Sequence, residues 1–383
     1  MRASLVVVSL VLLLVGIAPA DSLNVRFIGT CDTPGYAYGV AVSGDYAFVA
    51  SDSAGLRVIS VADPAHPVEV GSFDTPGNAC GVAVSGSYAY VADENSGLRV
   101  ISVADPAHPA EVGYYDTPGS AWGVAVSGDY VYVADFDSGL QIISVSDPAH
   151  PARVGHCAAV SWSFGVAVRD SHVYLCDHMA LQVIRVSDPA NPTEVGRWVN
   201  RDRARDVAVD GDYAFVADYG AGLSVVSIAD PAHPVEVAWY FLGGLAYGVA
   251  VSGGLAYVSD YLDGLRVISV SDPANPAEVG YYDAASDKAR DVAVDGGYIY
   301  VTDVDSGLKV YEFYGTGVEE SHKPQARGRR LAATVVRSLP QGAVAFDAMG
   351  RRVVNPRPGV YFVRDEGRGA GDMGRTRKVV VQR

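Results

Sequence analysis

The chain has 383 residues, 49% of them hydrophobic, and a formal charge of −15. From residue 317 onward 14 Lys and Arg stand against 6 Asp and Glu, so a tail of +8 follows a body of −23. An acidic body argues against nucleic acid and anionic membrane as partners. Short β-branched runs punctuated by Gly and Pro, with no helix-length apolar periodicity, argue against a helical fold.

Residues 1–20 read as a secretory signal peptide. Arg2 supplies the positive start, 5–17 the apolar stretch, and Ala18-Pro19-Ala20 a small-residue cleavage site before Asp21. The apolar stretch is short of the ~20 residues a bilayer crossing needs. No Cys follows the cleavage site directly, so a lipid anchor is not expected, nor is membrane insertion after cleavage. Four cysteines remain: Cys31, Cys80, Cys157 and Cys176. Cys31 and Cys157 occupy one slot of repeats three apart, so they should not bond. A chain this long buries a core without staples, and the thiols are expected to be free and mostly buried.

The run 56–67, LRVISVADPAHP, organises the chain as far as its tail. It returns at Leu98, Leu140, Leu181, Leu223 and Leu265, a step of about 42 residues, within the periods that mark propellers and solenoids. Each unit carries four strand-like runs. The first is Gly-Val-Ala-Val (39–42 and its copies, with Asp206 and Asp291 in place of Gly in two). The second ends in Val-Ala-Asp, as in 88–93. The third is Leu-Arg-Val-Ile-Ser-Val, and the fourth resembles 68–74, VEVGSFD. The turns between them are Ser-Gly-Asp, Asn-Ser-Gly and Asp-Pro-Ala-His-Pro, in which Gly allows positive φ, Pro fixes φ and Asp bonds locally. Four short strands per unit describe a propeller blade.

Counting the runs predicts closure. The first three occur seven times. The fourth occurs six times between units and once at the start, at 26–32, RFIGTCD. The last unit, 291–313, stops after three. The N-terminal run should therefore supply the outer strand of the last blade, closing an all-β, seven-bladed β-propeller over 21–314. The residue between the two Val of the first run is Ala in all seven copies: Ala41, Ala83, Ala125, Ala167, Ala208, Ala250 and Ala293. Innermost strands crowd toward the axis, so that slot is expected to need a small side chain.

LRVISVADPAHP and ARDVAVDGDYAFVAD resemble the LVIVD repeats of exported bacterial and archaeal propellers, over about 24–313. The resemblance implies a propeller that is secreted or held at the outer surface of a bacterial cell, and no defined activity. The Trp-Asp signature of WD40 propellers is absent. After a polar, basic linker at 315–330, short strand-like runs fill 331–383. There FDAMGRRV, RPGVYFVR and RKVVVQR resemble the C-terminal sorting modules of type IX-secreted proteins. That resemblance implies a small sandwich-like module that meets secretion or anchoring machinery; a small domain packed on the propeller is the alternative.

Several places invite chemistry. His66, His108, His150 and His233 share one slot with Asn191 and Asn275. A slot that takes His or Asn between Ala and Pro is read as a turn position, since His on separate blades cannot converge on one ion. The fourth unit gathers His156, Cys157, His172, Cys176, Asp177 and His178. It reads either as a transition-metal site or as a buried Cys in an Ala slot with surface His around it. Asp-rich turns at 135–139, 260–264 and 303–307 echo calcium loops without the closing Glu, so a structural calcium ion stays open while no cofactor is expected. No nucleophile elbow, catalytic triad, HExxH, phosphate loop or dinucleotide fingerprint occurs, and the loops are short and alike.

The slots before the innermost strand vary most: Tyr38, Cys80, Trp122, Phe164, Arg205, Tyr247 and Arg290, with neighbours Tyr36, Asn78, Ser120, Trp162, Arg203 and Lys288. They should ring one mouth of the central channel. Exposed aromatics with Arg suit a sugar or a peptide carboxylate. Against that stand a channel plugged by the aromatics, and plain ion pairs in Arg205-Asp206 and Arg290-Asp291. The expected ligand-binding set is Tyr36, Tyr38, Trp122, Trp162, Phe164, Arg205, Tyr247 and Arg290. The expected function is a non-catalytic binding or scaffold module for protein or carbohydrate; the alternative is an extracellular hydrolase or lyase at the same mouth.

Overall fold

The computed structural model describes residues 21–283 and 288–315, together with the strands Thr334–Val336, Ala343–Phe346, Arg352–Val353, Gly359–Asp365 and Thr376–Val381. The signal-peptide reading of 1–20 lies outside the described residues. The chain divides into two compact units, 1–318 and 319–383. Among the described residues no helix is long and apolar enough to cross a membrane.

Seven four-stranded antiparallel blades make up the first unit, at 39–73, 81–115, 123–157, 163–199, 206–240, 246–283 and 289–313. The last is completed from the N-terminus: Val25–Cys31 pairs with Gly307–Phe313, in register from Val25 opposite Phe313 to Cys31 opposite Leu308. The first strands of neighbouring blades touch in a closed cycle, the seventh returning to the first. The expected ring of seven, shut by the early strand, is what the chain forms.

Side-chain size explains the inner ring. Gly and Ala of the first run lie two residues apart and so share a face. A Cβ on Gly39 would stand 2.9 Å from the Cys80 carbonyl oxygen, and one on Gly123 2.2 Å from that of Phe164. The inner strands thus approach backbone to backbone at the Gly slot, one step before the Ala slot where the sequence placed the crowding. The Ala slot has its own cause. In every blade it lies directly across the ladder from an aromatic of the second strand, as Ala41 opposite Phe48 and Ala125 opposite Tyr132.

The core consists of seven wedges between blades. In one, Tyr132, Ala134, Leu140 and Ile142 of the third blade meet Val166, Val173, Leu175 and Ile184 of the fourth. Fully buried Leu140 and Ile142 each contribute roughly 1.5–3 kcal/mol by leaving water. The closing wedge is equivalent: Tyr300, Leu308 and Val310 pack against Val40, Val49 and Ile59.

One element was not legible in advance. Asp21–Leu23 adds a fifth strand to the sixth blade, antiparallel to Ala277–Asp283. Elsewhere the Gly of a fourth strand faces the next blade's Asp-Pro turn: a Cβ on Gly71 would lie 2.2 Å from the Pro106 carbonyl oxygen. The seventh blade has no such turn. The corresponding Gly280 faces the Leu23 carbonyl oxygen instead, at 2.9 Å.

The described strands of the second unit form one five-stranded sheet, in which Thr334–Val336 runs parallel to Thr376–Val381. The remaining residues of the sandwich-like module expected at 331–383, and all of the linker expected at 315–330 beyond Gly315, lie outside the described ones.

Candidate functional site

The variable slots meet. Tyr38, Cys80, Trp122, Phe164, Arg205, Tyr247 and Arg290 line one solvent-open well of about 130 Å³ around the axis, together with the Gly backbone of the inner strands. The fold aims them. The Tyr38, Trp122 and Arg205 N–H groups donate to the Ala50, Ala134 and Ala217 carbonyls at 2.8–2.9 Å. Each slot is thereby pinned to the end of its own second strand.

Around the ring the side chains form a nearly continuous stack. Trp122 meets Phe164 edge-on at 5.8 Å. The Arg205 guanidinium lies 4.3 Å from the Phe164 ring centre and 5.4 Å from that of Tyr247. Arg290 lies 4.3 Å from Tyr247 and 5.2 Å from Tyr38. Cationic groups over ring faces at these distances are attractive. The stack breaks only at Cys80, whose buried thiol is pushed up to about 12 by desolvation, then by the charge of Glu94. It is an unreactive thiol.

The other two expected site residues stand outside the well. Trp162 is 49% exposed and stacks on Phe136 at 5.2 Å; Tyr36 is 51% exposed, 6.4 Å from Tyr38. Of the expected neighbours, Asn78 donates to Glu94, Ser120 to Asn95, and Lys288 pairs with Asp305 at 2.7 Å. Arg203 lies over Tyr219.

A second variable ring was missed. It is the slot after the recurring Asp of the second strand: Asp52, Glu94, Phe136, His178, Tyr219, Tyr261 and Val304. Phe136 packs on Phe164, and Tyr219 and Tyr261 on Tyr247 at 5.5 and 5.2 Å. Its signal was present in the sequence, since this slot varies as freely as the first. It gives the mouth two sides: acidic at Asp52 and Glu94, aromatic and cationic elsewhere.

The arginines are not neutralised locally. Among the described residues no carboxylate lies within ion-pair distance of Arg205 or Arg290, so the alternative of plain Arg205-Asp206 and Arg290-Asp291 ion pairs is not what forms. The Arg205 Nε is buried without a hydrogen-bond partner. Burial, then the charges of Arg290 and Arg203, pull the Arg205 pKa down. His178 is likewise lowered, by burial and then by Arg203 and Arg205.

Beneath them, Asp206 and Asp291 occupy the Gly slot of the fifth and seventh blades. Their carboxylates reach the next blade: Asp206 accepts the Val249 N–H at 3.0 Å, and Asp291 the Val40 N–H at 2.9 Å. Burial pushes Asp206 up to about 7, with help from the Asp291 charge, and Asp291 up to about 6.

The residues of the metal readings have partners within the fold. His66, His108, His150 and His233 each bond through Nδ1 to the Asp three residues earlier at 2.8–2.9 Å. Asn191 and Asn275 offer Nδ2 to the equivalent Asp. Cys176 is fully buried in the slot that holds Ala92 and Ala134 in other blades. All four cysteines are free, Cys80 and Cys176 buried, Cys31 and Cys157 half-buried. In the Asp-rich turns, Asp135 accepts Thr117 Oγ1 and the Gly119 N–H, and Asp260 the Leu245 and Leu262 N–H groups. Among the described residues no group of three or more His, Cys, Asp or Glu is gathered for a metal ion.

The LVIVD repeat matches seven times, at 34–75, 76–117, 118–159, 163–199, 202–241, 243–284 and 286–310. The chain belongs to the LVIVD repeat family. Each of the first six matches takes in all four strands of one blade, and the last the first two strands and part of the third of the seventh, so the LVIVD repeats follow the blades that surround the well. The WD40 β-propeller domain of Doa1 is similar in fold, with a TM-score of 0.62 at 11% identity over 76% of this chain and 97% of that one. The computationally designed Ika8 protein is similar at TM-score 0.59 and 8% identity, over 75% and 99%. At such identities both describe the fold alone. No curated protein matches the chain.

Proposed function

We propose that this LVIVD propeller is a non-catalytic binding and scaffold module, exported to the surface or surroundings of a bacterial cell, that holds a protein or glycan ligand in its channel mouth. The observation that carries the reading is the stack from Trp122 to Tyr38 around Arg205 and Arg290, two cations without a carboxylate partner in a concave site. Export rests on the signal-like residues 1–20. Sorting or anchoring through the basic C-terminal unit rests on its resemblance to type IX modules.

One observation favours the alternative, a hydrolase or lyase at the same mouth. Asp206 and Asp291 are carboxyls poised near neutrality in a cleft. Against it, each already serves as a staple to the next blade. Glycan and peptide arrays probed with the full chain separate the readings: binding without turnover supports a module, and turnover of any bound ligand makes the protein an enzyme. The paired variant Trp122→Ala, Trp162→Ala is expected to abolish array binding, and retained affinity would remove the mouth from consideration.

A further inference from the structure

We infer that the mouth is built for a carboxylate carried on a sugar ring, that is, for a uronic-acid residue of an acidic glycan. This rests on the binding function proposed above and names its ligand.

The charge argument comes first. Arg205 and Arg290 flank one ring, Tyr247, at 5.4 and 4.3 Å, which brings two planar guanidiniums to bear on one ligand group. Arg205 already has a buried Nε with no acceptor. The Nε of Arg57, Arg99 and Arg266 is orphaned too, but those guanidiniums pair with Asp74, Asp93 and Asp263, whereas Arg205 has no carboxylate within ion-pair distance among the described residues. Guanidinium forks match carboxylate and phosphate geometry alike. The floor decides between the two. Asp206 and Asp291 line the same well and, once ionised above about pH 7 and about pH 6, oppose a second negative charge on the ligand, so above neutrality a monoanion is preferred to a dianionic phosphate.

The shape argument separates sugar from peptide. An extended peptide adds to an open sheet edge. The inner strands offer none, because at their Gly slots even an added Cβ would fall under 3 Å from the next blade. Besides the side-chain ring, the well is lined by Gly backbone, two carboxyls and Val82, Val124 and Val166. The walls present aromatic rings, Trp122 and Phe164 among them, which suit the C–H face of a sugar. Near Cys80, on the first and second blades, Asp52 and Glu94 offer acceptors for hydroxyl donors. The well, about 130 Å³, is smaller than the ~300–1,000 Å³ of drug-sized sites, so it takes one ring of a ligand whose remainder lies in solvent.

The test is calorimetric titration of the full chain with glucuronate and galacturonate trisaccharides, the matching neutral trisaccharides, acetate and inorganic phosphate. The uronate forms should bind, while neutral sugar, acetate and phosphate should bind at least about tenfold more weakly, since each offers half of the recognition. Arg290→Gln and Arg205→Gln should each weaken uronate binding about tenfold or more, with thermal melts confirming that at least one variant stays folded. Uronates that bind no better than acetate or phosphate, or that ignore both folded variants, overturn the assignment. In that event an array hit on a peptide or neutral glycan that is lost in Trp122→Ala leaves the mouth a binding site for another ligand. If every hit survives that variant, the mouth fails as well.

Discussion

The Asp-Pro-Ala-His-Pro turn shows how far a single slot can be read from sequence. His and Asn alternate there because both present an N–H donor to the same Asp oxygen, at 2.9 Å from His108 to Asp105 and from Asn191 to Asp188. His108→Asn should leave the melting temperature unchanged, whereas Asp105→Ala, which removes the acceptor for both His108 and the Ala107 N–H, should lower it. The Asp206 and Asp291 slots could not be read that way: in sequence they follow an Arg and look like half of an ion pair. Only the ring shows them reaching the next blade. Their raised pKa values give a signed prediction. In the unfolded chain both ionise near pH 3.9; in the fold they hold their protons to about pH 7 and about pH 6. The folded state therefore binds more protons between those limits, and its stability falls as pH rises from about 4 through 7. The paired variant Asp206→Asn, Asp291→Asn keeps an acceptor for Val249 and Val40 but carries no charge. Its melting temperature should exceed the parent's more at pH 8 than at pH 5, by roughly 2 °C or more. An equal offset at both pH values would remove the carboxyls as the cause.

At the scale of strands, the four runs per unit, their turns and the small slot were all legible, because strand period, turn chemistry and side-chain size are local properties. The cause of the small slot was not, since it depends on ladder register. Ala125 sits opposite Tyr132 and packs against the wedge containing Leu140 and Val166. Ala125→Leu adds three carbons where the aromatic already fills the space, and should cost roughly 1–3 kcal/mol by overpacking. Denaturant melts of the variant measure this. A midpoint equal to the parent's would mean that the wedge has slack. The second variable ring escaped notice for a related reason. Phe136 and Tyr219 sit in turns at positive φ, 40° and 42°, where bulky residues are rare. Neither looks functional until Phe164 and Tyr247 are seen against them.

For the whole molecule, closure joins the fold to its candidate site. Arg290 and Tyr38 come from opposite ends of the propeller sequence and stand 5.2 Å apart because the last blade borrows its fourth strand from the first residues of the ring. Counting runs was enough to foresee that loan. It could not foresee the stack of aromatics and guanidiniums, which exists only when neighbours in the circle are known. Deleting residues 21–31 should therefore act on stability and site together. Six paired positions are lost between Val25–Cys31 and Gly307–Phe313; at about 1 kcal/mol per ladder bond this amounts to ~4–6 kcal/mol, before the burial of Val25 is counted. The bared strand is also an open edge, prone to pair with another chain. The expected result is a large drop in melting temperature, concentration-dependent association, and reduced hydrogen-exchange protection in the seventh and first blades. A synthetic peptide of residues 24–32 should restore much of the melting temperature, while a scrambled one should not, because the vacated position requires the register of Val25 on Phe313 and Cys31 on Leu308. If the shortened chain melts like the parent, the ring is held by packing of its wedges alone, and the neighbourhood of Arg290 and Tyr38 no longer depends on the borrowed strand.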